Sequence, residues 1–367
     1  MRFTVLLLLL IRVALPVFSQ SPSYEAFEVD SAAHPKGGMN TLALFVQTNL
    51  RPPVAALAAG LKGRVYVQGV VNPDGRMSDL TVVRGLRPDC DREALRVLAL
   101  FGAWQPALKN RQVVRQKVSV PVDFRFAPVL WAYKDGQKIE YIGENDQLVS
   151  DEKLAVYQVI TPIDSSGNLT GDVIIYKPNE SRKPVATNKL TRTFIKTIGG
   201  EAAPEDSAQF VRVALVGQNK ALLGEVRHFH KTGELYSVAT YAQGRPVGET
   251  KYYYKNGAVS EWLTYSTNNP NEYDLLRWYA NGQIRQGLSV AWQDGQRQEK
   301  LTSFWLPNGQ LMVSQGTGQF KDSTEFHSER ILETGRYLNG IKDGHWEATR
   351  TNGQSLLPRR IQCRKIT

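Results

Sequence analysis

Cysteine is nearly absent from this 367-residue chain, which holds only Cys90 and Cys363. Two thiols make at most one bridge, so a disulfide framework is excluded. A single Cys90–Cys363 bridge fits an oxidising compartment, but two unpaired thiols with Cys90 packed is the simpler expectation. The five histidines are scattered. His228-x-His230 would put two imidazoles on one side of a strand, yet no spacing recommends the further ligands that zinc needs, so a surface pair is expected. Gly-x-Ser-x-Gly, the Walker loop, His-Glu-x-x-His and Gly-x-Gly-x-x-Gly are all missing. Nucleophilic, nucleotide and zinc-protease chemistries therefore lack their residues. No catalytic residue, no metal and no cofactor is expected, hence no enzyme. Acidic residues are in deficit, 35 against 45 Lys and Arg, for a net charge of +10. That favours anionic partners such as cell-wall polymers, lipid headgroups or acidic peptides. Nucleic acid is not among the expected partners, because no compact basic run is interleaved with stacking aromatics.

Long hydrophobic runs are also lacking. Residues 1–19 carry Arg2, an apolar run from Val5 to Leu10 that continues raggedly to Phe18, and small residues suited to signal cleavage at Val17-Phe18-Ser19. The run falls short of the roughly 20 residues of a spanning helix and is broken by Arg12. A cleaved signal peptide and a periplasmic protein are expected; an uncleaved inner-membrane anchor facing the periplasm is the alternative. Residues 20–34 read as a lead-in. His34-Pro35-Lys36-Gly37-Gly38 is a flexible break, Met39 to Leu50 a short helix stopped by Arg51-Pro52-Pro53, and Ala55 to Ala59 a helical turn.

The most legible stretch runs from Gly63 to Phe126. Arg64 to Val71 and Ser78 to Val83 are β-rich runs around Asn72-Pro73-Asp74-Gly75, a turn sequence, and so form a hairpin. Asp89 to Phe101 follows as a helix, with carboxylates at its start and Ala94, Leu98 and Phe101 on one face. In the last strand, Val114, Val118, Val120, Val122, Phe124 and Phe126 alternate with Arg115, Lys117, Ser119, Asp123 and Arg125. One face is therefore buried and the other wet, with Gln116 the one polar residue on the apolar side. Pro121 cannot donate to a ladder, which places the strand at an edge or a bulge. An exposed edge is a template for an added strand. The stretch holds eleven Lys and Arg against six Asp and Glu.

Gly63-Arg64-Val65-Tyr66-Val67, Asn72-Pro73-Asp74-Gly75-Arg76, Leu80-Thr81-Val82-Val83, Asp91-Arg92-Glu93-Ala94-Leu95-Arg96, Trp104-Gln105-Pro106 and Val120-Pro121-Val122-Asp123-Phe124 together resemble the C-terminal domain of TonB-type energy transducers, over about 35–127. The resemblance implies an α+β domain: a β-hairpin, a helix and an edge strand, forming a three-stranded antiparallel sheet with helices on one face. It also implies strand addition by a peptide segment of an outer-membrane TonB-dependent transporter, and so a link to transmembrane transport. The peptide-binding edge would be Val113, Arg115, Lys117, Ser119, Pro121, Asp123 and Arg125, with Arg115, Lys117 and Arg125 solvated unless a peptide docks beside them. Trp104 and Pro106 are expected to pack the helix end over the sheet. Inner-membrane motor proteins would be partners only of an uncleaved anchor.

After Ala127 short runs and turns dominate. Residues 128–221 read as a β-rich connecting region, with strands at Leu154 to Ile160 and Asp172 to Tyr176 and a loop from Gly199 to Ser207. Over 222–357 a repeat emerges. Gly233, Gly257, Gly282 and Gly309 stand 24, 25 and 27 residues apart. An aromatic lies four residues before each (Phe229, Tyr253, Trp278, Trp305) and an aliphatic two after (Leu235, Val259, Ile284, Leu311). Asn precedes three of the glycines, and Asn-Gly offers the positive φ pair of a tight hairpin. Units of this length stack to bury their faces. The pattern is similar to MORN-variant repeats, the kind also found in an antitoxin-like repeat family, over about 222–356. Gly335 to Trp346 looks like one more unit, Asn352-Gly353 a decayed last one, and 358–367 a basic tail. A mainly β region of stacked hairpins is expected, its aromatics serving as core.

Two readings of function follow. In the first, an exported, non-enzymatic envelope protein engages transporter peptides by strand addition and holds a second partner on its repeats. In the other, the repeats are a structural or antitoxin-like scaffold tethered to peptidoglycan, without energy transduction.

Overall fold

The computed structural model describes residues 22–178, 183–195, 197–198, 201–202, 210–217, 219–269, 271–293, 295–326, 329–350 and 355–361. The signal-like residues 1–19, Asn352-Gly353, Cys363 and the end of the basic tail lie outside them. Among the described residues no helix is long and apolar enough to cross a membrane.

The N-terminal part is built from β1 (Ser23–Tyr24), β2 (His34–Pro35), α1 (Met39–Asn49), α2 (Val54–Ala58), β3 (Lys62–Val71), β4 (Met77–Arg84), α3 (Pro88–Ala99), β5 (Trp104–Gln105), β6 (Ala107–Lys109) and β7 (Gln112–Arg125). Its main sheet has the order β1-β7-β3-β4, with β6 paired to β7. The sheet is thus five-stranded where three strands were expected. β3 and β7 run antiparallel over their whole shared length, from Lys62↔Arg125 to Val71↔Gln116. Alternation does the sorting. Val65, Val67 and Val71 of β3 and Val120, Val122 and Phe124 of β7 join one buried cluster with Leu42, Phe45 and Val46 of α1 and Ala94, Val97 and Leu98 of α3. Each of these Val, Leu and Phe side chains contributes about 1.5–3 kcal/mol through burial. Pro88 stands in the first turn of α3, where its missing N–H costs nothing. Asp91 accepts the Leu86 N–H at 2.9 Å and fixes the entry to this helix. Trp104 is 3% exposed and lies edge-on to Phe101 at 6.1 Å. Cys90 is fully buried, and burial pushes its thiol up to about 11.

From Trp131 onward nearly all strands pair antiparallel with their neighbours in one long sheet of successive hairpins that runs to Ser355–Ile361. The strand expected from Leu154 begins later, at Tyr157–Pro162, after a short 3-10 turn at Glu152–Leu154. The loop expected over Gly199 to Ser207 contains Glu201–Ala202, which pairs with Thr197–Ile198; its remainder lies outside the described residues.

In the repeats, the aromatic and the aliphatic of each unit are cross-strand partners: Phe229↔Leu235, Tyr253↔Val259, Trp278↔Ile284 and Trp305↔Leu311. A register shift falls just before each aromatic. The turns differ from the expected Asn-Gly pair. Gly233, Gly257, Gly282 and Gly309 have positive φ, whereas Asn256, Asn281 and Asn308 do not. Their side chains instead accept the N–H two residues on, from Ala258, Gln283 and Gln310 at 3.0–3.1 Å. This is a turn closed by one left-handed glycine and a bulge. The paired positive φ values occur at Asn339-Gly340, where Leu338 faces Ile341 across a two-residue hairpin. Neighbouring units are tied by Tyr254 Oη donating to Trp278 O at 2.6 Å and Tyr279 Oη donating to Trp305 O at 3.0 Å.

The two parts share a core. Ala258, Val259, Trp278 and Ile284 belong to the same buried cluster as Phe45 and Phe101. Asn49 Oδ1 accepts the Val259 N–H at 2.7 Å, Gly102 N–H donates to Asn281 O at 2.8 Å, and Arg51 lies over the Tyr253 ring. Helix α1 is therefore seated on the glycine turns of the repeats.

Candidate functional site

The candidate site is the outer edge of β7. The Phe126 N–H donates to Leu61 O, on the β3 side. Backbone groups alternate along a strand, so the even-numbered residues of β7 face β3 and the odd-numbered ones face outward. Ser119, Asp123 and Arg125 thus present both N–H and C=O to the edge, and Pro121 its carbonyl only. The register passes Tyr66↔Pro121 without a shift, because the proline's missing donor falls on the outer side, where no rung is lost.

The N-terminal end of this edge is already occupied. β1 pairs with it in parallel, Ser23↔Arg115 and Tyr24↔Gln116. Gln116 is 2% exposed, and its Oε1 accepts the Ala33 N–H at 2.6 Å. Lys117 Nζ meets Glu25 at 2.8 Å, which raises the lysine's pKa. Lys109 lies 4.0 Å from the centre of the Tyr24 ring. The described part of the expected lead-in, residues 22–34, is therefore a strap laid over the first rungs. Beyond Gln116, among the described residues, no strand is paired to the outer side of β7 as far as Arg125.

Of the edge residues named from sequence, Ser119, Pro121, Asp123 and Arg125 are exposed and share the wet face. Val113 is half exposed but sits in the β6–β7 hairpin opposite Leu108. Arg115 is not solvated. It bonds Asn72 at 3.0 Å and Asp79 at 2.8 Å with only 14% of its side chain exposed. Lys117 is likewise held, by Glu25. Sequence reasoning missed Ser23, Tyr24 and Glu25. Gln116 carried the available signal, as a lone polar side chain on an apolar face.

The repeat positions serve packing. Trp278 is 1% exposed, and Phe229, Tyr253 and Trp305 are half-buried. A cleft of about 510 Å³ on the repeat sheet is lined by Glu261, Arg277, Arg285 and Arg330. Arg277 is bonded to Glu261 and Arg285 to Asp322 there, so two of its three cations are already matched. His228 is not a surface residue but 4% exposed, with Nδ1 2.9 Å from Ser237 Oγ. His230 packs against Phe210 and Tyr236. Among the described residues no group of three His, Cys, Asp or Glu is placed to hold a metal.

Residues 49–126 match the family described as the Gram-negative bacterial TonB protein C-terminal. The match takes in β3, β4, α3 and β7 and stops short of the strap and the repeats. No curated protein matches the chain.

Proposed function

We propose that this chain is a non-enzymatic binding protein of the bacterial envelope, accepting an extended peptide from an outer-membrane TonB-dependent transporter as an added strand along β7. The single observation that carries this reading is the outer edge from Ser119 to Arg125, which has unpaired backbone groups on one side and an unbroken ladder to β3 on the other. The match over 49–126 supports the partner class and a periplasmic setting. Backbone bonds would supply affinity, and the exposed side chains selectivity. The footprint is short, because the strap holds the rungs at Arg115 and Gln116. At about 3.3 Å per residue, the open stretch suits a peptide of six to eight residues.

The repeats, of the MORN-variant kind, are proposed as a rigid scaffold for a second partner, with peptidoglycan the candidate. Their shared core with α1 supports this, since a partner held on the repeats is thereby held at a fixed distance from the edge. The test is titration of the full chain with transporter N-terminal peptides, read by amide hydrogen exchange. Protection appearing at Ser119, Asp123 and Arg125 supports strand addition. Saturating binding with no protection there refutes it.

A further inference from the structure

The cleft on the repeat sheet holds more hydrogen-bond donors than its own residues use. Its volume of about 510 Å³ lies within the roughly 300–1,000 Å³ of sites that enclose small ligands. Arg277 stands directly across from Glu261 on the neighbouring strand and bonds it at 2.9 Å. Arg285 bonds Asp322 at 2.5 Å and lies over the Tyr279 ring. Arg330 lines the same cleft and is exposed, with no carboxylate partner among the described residues. Three cations thus meet two carboxylates. Trp278 also lines the cleft and is 1% exposed, yet its indole N–H has no acceptor among the described residues. A buried donor left without an acceptor is destabilising. Tyr254 spends its hydroxyl hydrogen on Trp278 O, while Ser260 and Ser323 add two further hydroxyls to the lining.

We propose that this cleft binds a short peptide by its carboxylate, the group that the stem peptides of the cell wall carry. Arg330 supplies the unmatched charge, and the Trp278 N–H with the Ser260 and Ser323 hydroxyls the neutral donors. The proposal rests on the reading that the repeats hold peptidoglycan, and is independent of strand addition along β7. The charge count favours a carboxylate over a phosphate. One monoanion balances the single unmatched guanidinium, whereas a phosphate dianion would overshoot it beside Glu261. A guanidinium fork also matches a carboxylate with two parallel bonds. Burial favours a peptide over a sugar ring. Trp278 is too enclosed to offer a ring face for stacking, while Glu261, with 35% of its side chain exposed, accepts peptide N–H groups. Salt will weaken the attraction, because Arg330 is exposed.

The experiment titrates the full chain with N-acetylated trialanine in two forms, the free acid and the C-terminal amide. The acid should bind about tenfold tighter, the worth of a charge-assisted bond. Arg330→Gln should abolish that preference and leave the amide's affinity unchanged. Arg245→Gln, the same charge change at an exposed position of the same sheet, should leave the preference intact. Ser260→Ala with Ser323→Ala should weaken both forms alike, because these donors are neutral. Unfolding midpoints establish that the variants fold. Equal affinities for acid and amide, or a preference that survives Arg330→Gln, would overturn the proposal. So would inorganic phosphate that displaces the acid at matching concentration, since the cleft would then take any oxyanion. Co-sedimentation with isolated cell-wall sacculi separates the two readings. Binding lost on Arg330→Gln supports both. Sacculi bound by a chain that ignores the tripeptide would discard the carboxylate site and leave peptidoglycan standing. A tripeptide read by Arg330 in a chain that ignores sacculi would keep the site and discard peptidoglycan.

Discussion

Gln116 Oε1 accepts the backbone N–H of Ala33 at 2.6 Å, so the one polar side chain on the apolar face of β7 is the anchor for the strap. Gln116→Leu removes that acceptor while keeping the volume. Because Ala33 is only half-buried, water can take over part of the bond, and a loss of about 1 kcal/mol in unfolding free energy is expected. The more specific outcome is local. Amide exchange at Ser23, Tyr24 and Glu25, and at Arg115 and Lys117 on the outer side of β7, should accelerate while the β3–β7 ladder stays protected, because Tyr24 and Glu25 lose the tether that holds them to the edge.

Gly282 carries a second, larger effect. Its φ is +88°, and a Cβ there would lie 2.8 Å from the Phe45 ring and 3.0 Å from that of Phe101. Gly282→Ala therefore combines left-handed strain of about 1–2 kcal/mol with overpacking of about 1–3 kcal/mol. Gly244→Ala is the control, with φ +77° but open space around the added methyl. Urea titration should show Gly282→Ala costing at least twice as much as Gly244→Ala. Equal losses would mean that α1 is not seated on the repeat turn.

How much of this was legible follows from the range of each interaction. The cross-strand pairs Tyr253↔Val259 and Trp278↔Ile284 could be read directly, because a hairpin brings together residues that the sequence spaces at fixed offsets from one glycine. The turn type was misread, since Asn before Gly fits two geometries and only the backbone distinguishes them. Ser23–Tyr24 gave no signal, because two residues are too few to show alternation. The seating of Asn49 on Val259 joins segments that are remote in sequence and share no pattern. Arg115 was expected to be solvated because alternation assigns it to the wet face; its partners Asn72 and Asp79 come from the neighbouring hairpin, which periodicity within one strand does not reveal.

His228 predicts an acid sensitivity. Burial, reinforced by Arg212, pushes its imidazole down to about 4 from the ordinary 6.5. Protons therefore bind the unfolded chain first. Above pH 6.5 the group has no effect; as pH falls from about 6.5 to about 4, folding stability drops by up to about 3 kcal/mol. His228→Asn keeps a partner for Ser237 without a titrating group. Its denaturation midpoint should change less than that of the parent protein between pH 7 and pH 4.5.

Ser119 offers the most direct test of the edge. Its N–H faces outward, by the alternation that sends the Phe126 N–H to Leu61. Ser119→Pro therefore deletes one donor from the open side and none from the ladder to β3. Val118 before it is already extended, as the residue preceding a proline must be. Unfolding free energy should change by less than about 1 kcal/mol, while affinity for an added strand falls about fivefold to tenfold, the worth of one hydrogen bond. Val120→Pro is the counter-case, because its N–H faces β3 and its loss opens the ladder. If Ser119→Pro unfolds the domain as Val120→Pro does, the outward assignment is wrong. If it leaves both stability and peptide affinity untouched, the peptide binds somewhere other than β7.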